Sequence, residues 1–164
     1  MLWLLEKVVM QPIKLTLPIP VSVNALYANS KHSRIKTRRA KEWELNAAVV
    51  LSPELFKHRA LRDANLIERQ KFTISQLCKA HESLSYSVKY SFAFSQARSV
   101  KPRDIFNFEK QLTDFLVDFG FMLDDVFIDD GRVIRLEPDA KNPHVDIEIS
   151  TFNKGILHDV LDVF

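Results

Sequence analysis

The sequence predicts an α+β domain, a mixed β-sheet with helices packed on it. Three observations carry this. Apolar residues take every second place in IKLTLPIP and SYSVKYSFAFS, they recur at three- and four-residue intervals between 108 and 119, and two more strand-like runs follow Gly120. The order is strand, helices, strand, helix, strands.

In IKLTLPIP, Ile13, Leu15, Leu17 and Ile19 have the period of a half-buried strand, which Pro18 and Pro20 end. The stretch from Ser22 to Lys36 has no period and is predicted as a loop. After Thr37, Ala40, Trp43, Ala47 and Val50 fall on one helical face, and Ser52-Pro53 stops that helix and caps the next. Residues 54 to 84 read as helical, with Leu55, Leu61, Ala64 and Ile67 as the apolar positions, and Thr73 with Gln76 forms a capping box. Tyr86, Val88, Tyr90, Phe92 and Phe94 predict a strand with one aromatic face. Phe108, Leu112, Phe115, Leu116 and Phe119 predict a helix that Gly120 closes. VFIDDGRVIRLEP and HVDIEIST read as strands joined by DAKNP, with Asp130-Gly131 a turn or a bulge, and the final GILHDVLDVF reads as a short docking helix.

At 164 residues and 46% apolar composition, a single domain over 1–164 can bury a core without disulfides or structural zinc. Cys78 is the only cysteine, which suits a reducing, cytoplasmic setting. The opening MLWLLEKVVM is too short and too charged for a membrane span or a signal peptide, so no membrane partner is expected.

The formal charge of +2 hides two opposed patches. Residues 29–41 carry Lys31, Arg34, Lys36, Arg38, Arg39 and Lys41 without an acid, a composition suited to a phosphate backbone. Between Asp104 and Asp139 acids dominate, a composition suited to a metal ion. Asp104, Lys110, Asp124 and Asp125 are the candidate chemical groups. Converging carboxylates can hold magnesium beside a phosphodiester, and a lysine can neutralise charge that develops on it. Each residue also has a purely structural reading. Asp104 caps a helix, Lys110 is an exposed helical residue, and Asp124-Asp125 and Asp129-Asp130 form turns.

RDIFNFEKQLTDFL followed by FGFMLDDVFI resembles the RusA family of Holliday junction resolvases, whose pattern is approximately R-D-x-D-N-x-x-K, a helix ending near Gly, then D-D and a strand. The likeness extends to LPIPVSVNALYANS and to VDIEIS, covering a core of about 13–150, with a helical insertion at about 53–84 and a tail at 151–164. It implies a homodimeric, magnesium-dependent endodeoxyribonuclease that nicks branched double-stranded DNA at four-way junctions in recombination and repair, with manganese as a substitute ion. By position, Asp104, Lys110 and Asp125 are the implied catalytic residues, and Asp104, Asp124 and Asp125 the implied metal ligands. Lys31, Arg34, Lys36, Arg38, Arg39, Lys101 and Arg103 are the expected DNA contacts. Phe106 stands where the family has its second aspartate. A phenyl ring offers no metal ligand, so a junction-binding protein with impaired cleavage is the alternative reading, with Glu109 as a replacement ligand. A protein-interaction domain without a nucleic-acid role is the third.

Overall fold

The structure, a computed structural model, describes residues 11–29, 34–101 and 103–153. The first alternation forms β1 (Ile13–Pro18), with Ile13, Leu15 and Leu17 buried and Lys14 and Thr16 exposed. The predicted loop after it holds more structure: a one-turn α1 (Val23–Leu26) and a two-stranded antiparallel ribbon of β2 (Tyr27–Asn29) and β3 (Arg34–Lys36). Strands of three residues are too short to display a period, so the ribbon leaves no pattern in the sequence.

Thr37 then caps α2 (Arg38–Val50), its Oγ1 accepting from the Ala40 N–H and donating to the Ala25 carbonyl. The buried seam of α2 is Ala40, Trp43 and Ala47, continued by Leu51; Val50, expected on that seam, is 55% exposed. α3 (Ser52–Lys57), α4 (Arg59–Lys71) and α5 (Ile74–Ala80) follow. Ser52 does not cap α3 as expected: it is that helix's first residue, and its hydroxyl donates back to the Ala48 and Val49 carbonyls of α2. The Thr73–Gln76 capping box at α5 is present with both of its reciprocal bonds.

The remaining elements are β4 (Leu84–Ala93), a 3₁₀ turn (Ile105–Phe108), α6 (Glu109–Asp118), a second 3₁₀ turn (Asp125–Phe127), β5 (Ile128–Arg135) and β6 (His144–Asn153). One mixed sheet has the order β1-β6-β4-β5, in which β6 runs antiparallel to β1 and β4, and β5 runs parallel to β4. A parallel neighbour needs a crossover, and α6 supplies it. Asp130-Gly131 is not a turn: it lies within β5, and the pairing steps from Tyr86↔Ile128 to Ser87↔Asp130, a bulge that leaves Asp129 between the pairs. The connection holding DAKNP steps across β4, with Asp139 Oδ1 accepting from the Lys141 and Asn142 N–H groups.

The core lies between the sheet and α6. Tyr86, Val88, Tyr90 and Phe92 of β4 and Leu112, Phe115 and Leu116 of α6 are buried, and Trp43 sets its ring edge-on to Phe115 at 5.3 Å between centroids. Buried Gln111 ties three segments together, accepting from the Val21 N–H at 2.8 Å and donating to the Ala40 carbonyl at 3.1 Å. α6 ends in a Schellman turn: Phe121 N–H donates to Leu116 O and Gly120 N–H to Val117 O, with Gly120 at φ 77. The expected docking helix at the C-terminus lies outside the described residues. No helix among the described residues is long and apolar enough to cross a membrane.

Candidate functional site

The candidate site residues sit along α6, between its first turn and the segment that returns beside it after Gly120. Asp104 precedes the 3₁₀ turn that leads into α6 and caps it, Oδ1 accepting from the Phe106 N–H at 3.1 Å. Phe106 points its ring away from the core, at 67% exposure. A short turn of this kind leaves its first N–H groups without helical partners, and an aspartate in front of it satisfies one.

Lys110 lies one turn further on, with Nζ 2.6 Å from Asp114 Oδ1. The hydrogen bond to Asp114 is the main reason its pKa is raised; burial opposes it, and the charges of Asp114 and Asp125 add to it. Asp124 is 7% exposed. Its Oδ1 accepts from the Val126 N–H at 3.2 Å, capping the second 3₁₀ turn, and its Oδ2 faces Arg69 Nε at 3.8 Å. Asp125 has its carboxyl pushed above the ordinary carboxylate range, first by burial and then by hydrogen bonding and charge from Asp124, with Lys110 pulling the other way. Two acids pressed together disfavour double ionisation, and a nearby cation relieves them.

Asp114, Asp124 and Asp125 line one cleft of about 230 Å³, together with Tyr27, Lys36, Arg69 and Asp118. The structure therefore brings together Asp124, Asp125 and the Lys110–Asp114 pair. Asp104 does not line this cleft; one of its carboxylate oxygens, Oδ1, caps its turn as Asp124 Oδ1 caps the second. Among the described residues, no three Asp, Glu, His or Cys side chains group as a metal-holding set. Glu109, weighed as a replacement ligand, accepts from the Thr113 hydroxyl at 2.7 Å. Because Thr113 gives its proton to Glu109, buried Tyr90 donates to Thr113 at 2.8 Å. Burial raises the Tyr90 phenol pKa.

The expected DNA contacts divide by their pairing. Lys36 turns into the cleft, 2.7 Å from Glu44 and 3.9 Å from Asp118. Burial lowers its pKa, but Glu44 and Asp118 outweigh that and leave it raised. Arg38 pairs with Glu42 at 2.6 Å. Arg34 stacks over the Tyr27 ring, Arg39 and Lys101 are exposed, and Arg103 lies over Phe94. Lys31 is outside the described residues.

Sequence patterning misassigned the inward face of α4. Leu55, Leu61, Ala64 and Ile67 suggested an apolar stripe; Leu55 and Leu61 pack against the core, but Ala64 is exposed and Ile67 is 47% exposed. The face turned to α6 is Arg62, Asn65 and Arg69, which donate to the carbonyls of Phe119 (2.6 Å), Gly120 (2.9 Å) and Val117 (3.1 Å). Carbonyls at a helix end lack intrahelical partners, so a polar face here is what the neighbouring helix end requires. Arg69 also reaches Asp124 and Asp118, which places α4 directly behind the cleft. Only the spacing of Arg62, Asn65 and Arg69 at three and four residues could have signalled it.

A comparison with protein-family models found no match, and a comparison with curated proteins found none either. The functional reading therefore rests on the residues themselves.

Proposed function

We propose that this chain is a RusA-like endodeoxyribonuclease that acts on four-way DNA junctions through the cleft beside α6. One observation carries the reading. Asp124 and Asp125, separated from Lys110 in sequence by the length of α6, line one cleft with Asp114, and Asp114 holds the Lys110 ammonium at 2.6 Å. A magnesium ion is commonly held by one or two carboxylates with water completing its shell, and Asp124 and Asp125 provide two whose mutual repulsion a cation would relieve. When bound, such an ion supplies polarisation of the phosphodiester and a water of lowered pKa. Asp125 and Asp124 would hold it. Lys110, kept in place by Asp114, offsets negative charge gathering on the phosphate oxygens. Arg69 anchors Asp124 from behind.

The test is cleavage of a synthetic four-way junction with magnesium or manganese, resolved on a denaturing gel. Paired, symmetric nicks that disappear in Asp125→Asn support the reading. Intact junctions at high protein concentration with both metals refute it.

A second reading, junction binding with impaired cleavage, is favoured by Phe106 in the place of a family aspartate and by the absence of Asp104 from the lining of the Asp124-Asp125 cleft. Under this reading the wild-type protein binds junctions without cutting them, and Phe106→Asp gains cleavage.

A further inference from the structure

Three arginines gather where β4 leaves the sheet and β5 ends, Arg98, Arg103 and Arg135, with Lys101 nearby in the chain. Arg103 and Arg135 each hold their guanidinium carbon 5.0 Å from the centroid of one ring, Phe94. Arg135 also donates to the Arg103 backbone carbonyl. Phe94 is 2% exposed, stacked on Phe92 and edge-on to Phe108, so it is a fixed platform built into the core. Arg98 and Arg135 line a cleft of about 230 Å³ over that ring.

Their lack of a carboxylate partner distinguishes these residues from the paired cations of the chain. Lys36, Arg38, Arg69, Lys110 and Arg132 each have a carboxylate within ion-pair distance. Arg98, Lys101, Arg103 and Arg135 have none among the described residues. Glu137 lines the same cleft without forming an ion pair with them. Like charges held together with no carboxylate within ion-pair distance favour an anionic partner. A guanidinium stacked on a ring keeps its in-plane N–H donors available for a phosphate oxygen. Because the ring beneath is buried, no aromatic face is left on which a base could stack.

We infer that Arg103 and Arg135 over the Phe94 ring, with Arg98 in the adjoining cleft, form a phosphodiester-gripping surface that holds a nucleic-acid strand by its backbone without reading its bases. The inference rests on the nucleic-acid reading above and adds Arg98 and Arg135, which lie outside the basic strip of residues 29–41. Arg103 adjoins Asp104, so a strand held here runs on toward the turn that carries Lys110. The partner is DNA backbone.

The experiment measures fluorescence anisotropy of two labelled four-way junctions of unrelated sequence, with a chelator present so that no cleavage occurs, over a series of salt concentrations. Arg98→Gln and Arg135→Gln should each weaken binding by on the order of tenfold, equally for both sequences, and make the salt dependence shallower by about one unit of slope. Arg132→Gln, on the same strand but already paired with Asp130, should leave affinity unchanged. Arg98 is exposed and engages nothing in the described residues, so its variant reports on binding rather than folding. If wild type binds and Arg98→Gln and Arg135→Gln bind equally well, this surface is rejected while the nucleic-acid reading stands. Loss confined to one junction sequence also rejects it, because the surface would then read bases. If wild type binds no DNA at low salt, both fall.

Discussion

Lys110 Nζ and Asp114 Oδ1 lie 2.6 Å apart, one turn of α6 from each other. Asp114 faces the cleft of Asp124 and Asp125, so the pair fixes the ammonium on the side of the helix where those acids sit. Asp114→Asn removes the anchor and should lower any cleavage rate while costing no more than about 0.5 kcal/mol of stability, the scale of an exposed pair one turn apart. The pH dependence follows from the sign of the shift. A lysine raised above 10.5 contributes fully below that value and loses its contribution as pH rises through the folded pKa. Urea midpoints of wild type and Asp114→Asn should therefore converge in strongly alkaline buffer.

Phe106→Asp is expected to be nearly silent for the fold, within about 0.5 kcal/mol, because the ring is exposed and buries little. Its effect should fall on chemistry. A third carboxylate at the head of α6 should raise magnesium-dependent junction cleavage, read by initial rates under matched conditions. An unchanged rate would mean that the residue at position 106 does not limit the reaction.

Asp125 carries a stability penalty at neutral pH. Its folded pKa lies above 3.8, chiefly through burial and then through Asp124. Its contribution is therefore complete below 3.8 and is lost as pH rises through the folded value. Asp125→Asn should stabilise the metal-free protein near neutrality, by less than about 1 kcal/mol because solvent screens the group. The gain should vanish in acid. Thermal melts in chelating buffer check this, and a variant less stable than wild type at neutral pH would contradict it.

Gly120→Ala should be severe. Its φ of 77 suits glycine, and an added Cβ would meet the Arg62 carbonyl oxygen at 2.7 Å. Left-handed strain alone costs about 1–2 kcal/mol, and the backbone contact adds to it. A chemical-denaturation midpoint reads the loss. If the loss is below about 1 kcal/mol, the close packing of α4 against this turn is not as described.

Much of the fold was legible because burial enforces periods. Tyr86, Val88, Tyr90 and Phe92 had to alternate to face α6, and Leu112, Phe115 and Leu116 had to share a stripe to face the sheet. The Thr73–Gln76 box was legible because capping needs a fixed spacing. The inward face of α4 was not, because Arg62, Asn65 and Arg69 serve the carbonyls ending α6, and polar burial has no hydropathic signature. The site was legible in part. Asp124, Asp125 and Lys110 were recognisable as a motif, but sequence spacing could not say that Asp104 stays out of the cleft they share or that Lys36 folds in toward Glu44 and Asp118. Charge composition counts cations; it does not show which have already found an acid. Arg135 went unnoticed for the converse reason, being a single arginine in a strand that only the fold brings to Arg103 and Phe94.

The most direct measurement is the anomalous-scattering map of a crystal soaked in manganese. The account predicts a manganese peak bound by the Asp125 carboxylate with Asp124 beside it, and the Lys110 ammonium facing the same space. A soak that saturates other acidic sites on the molecule yet leaves no density at Asp124 and Asp125 would contradict it.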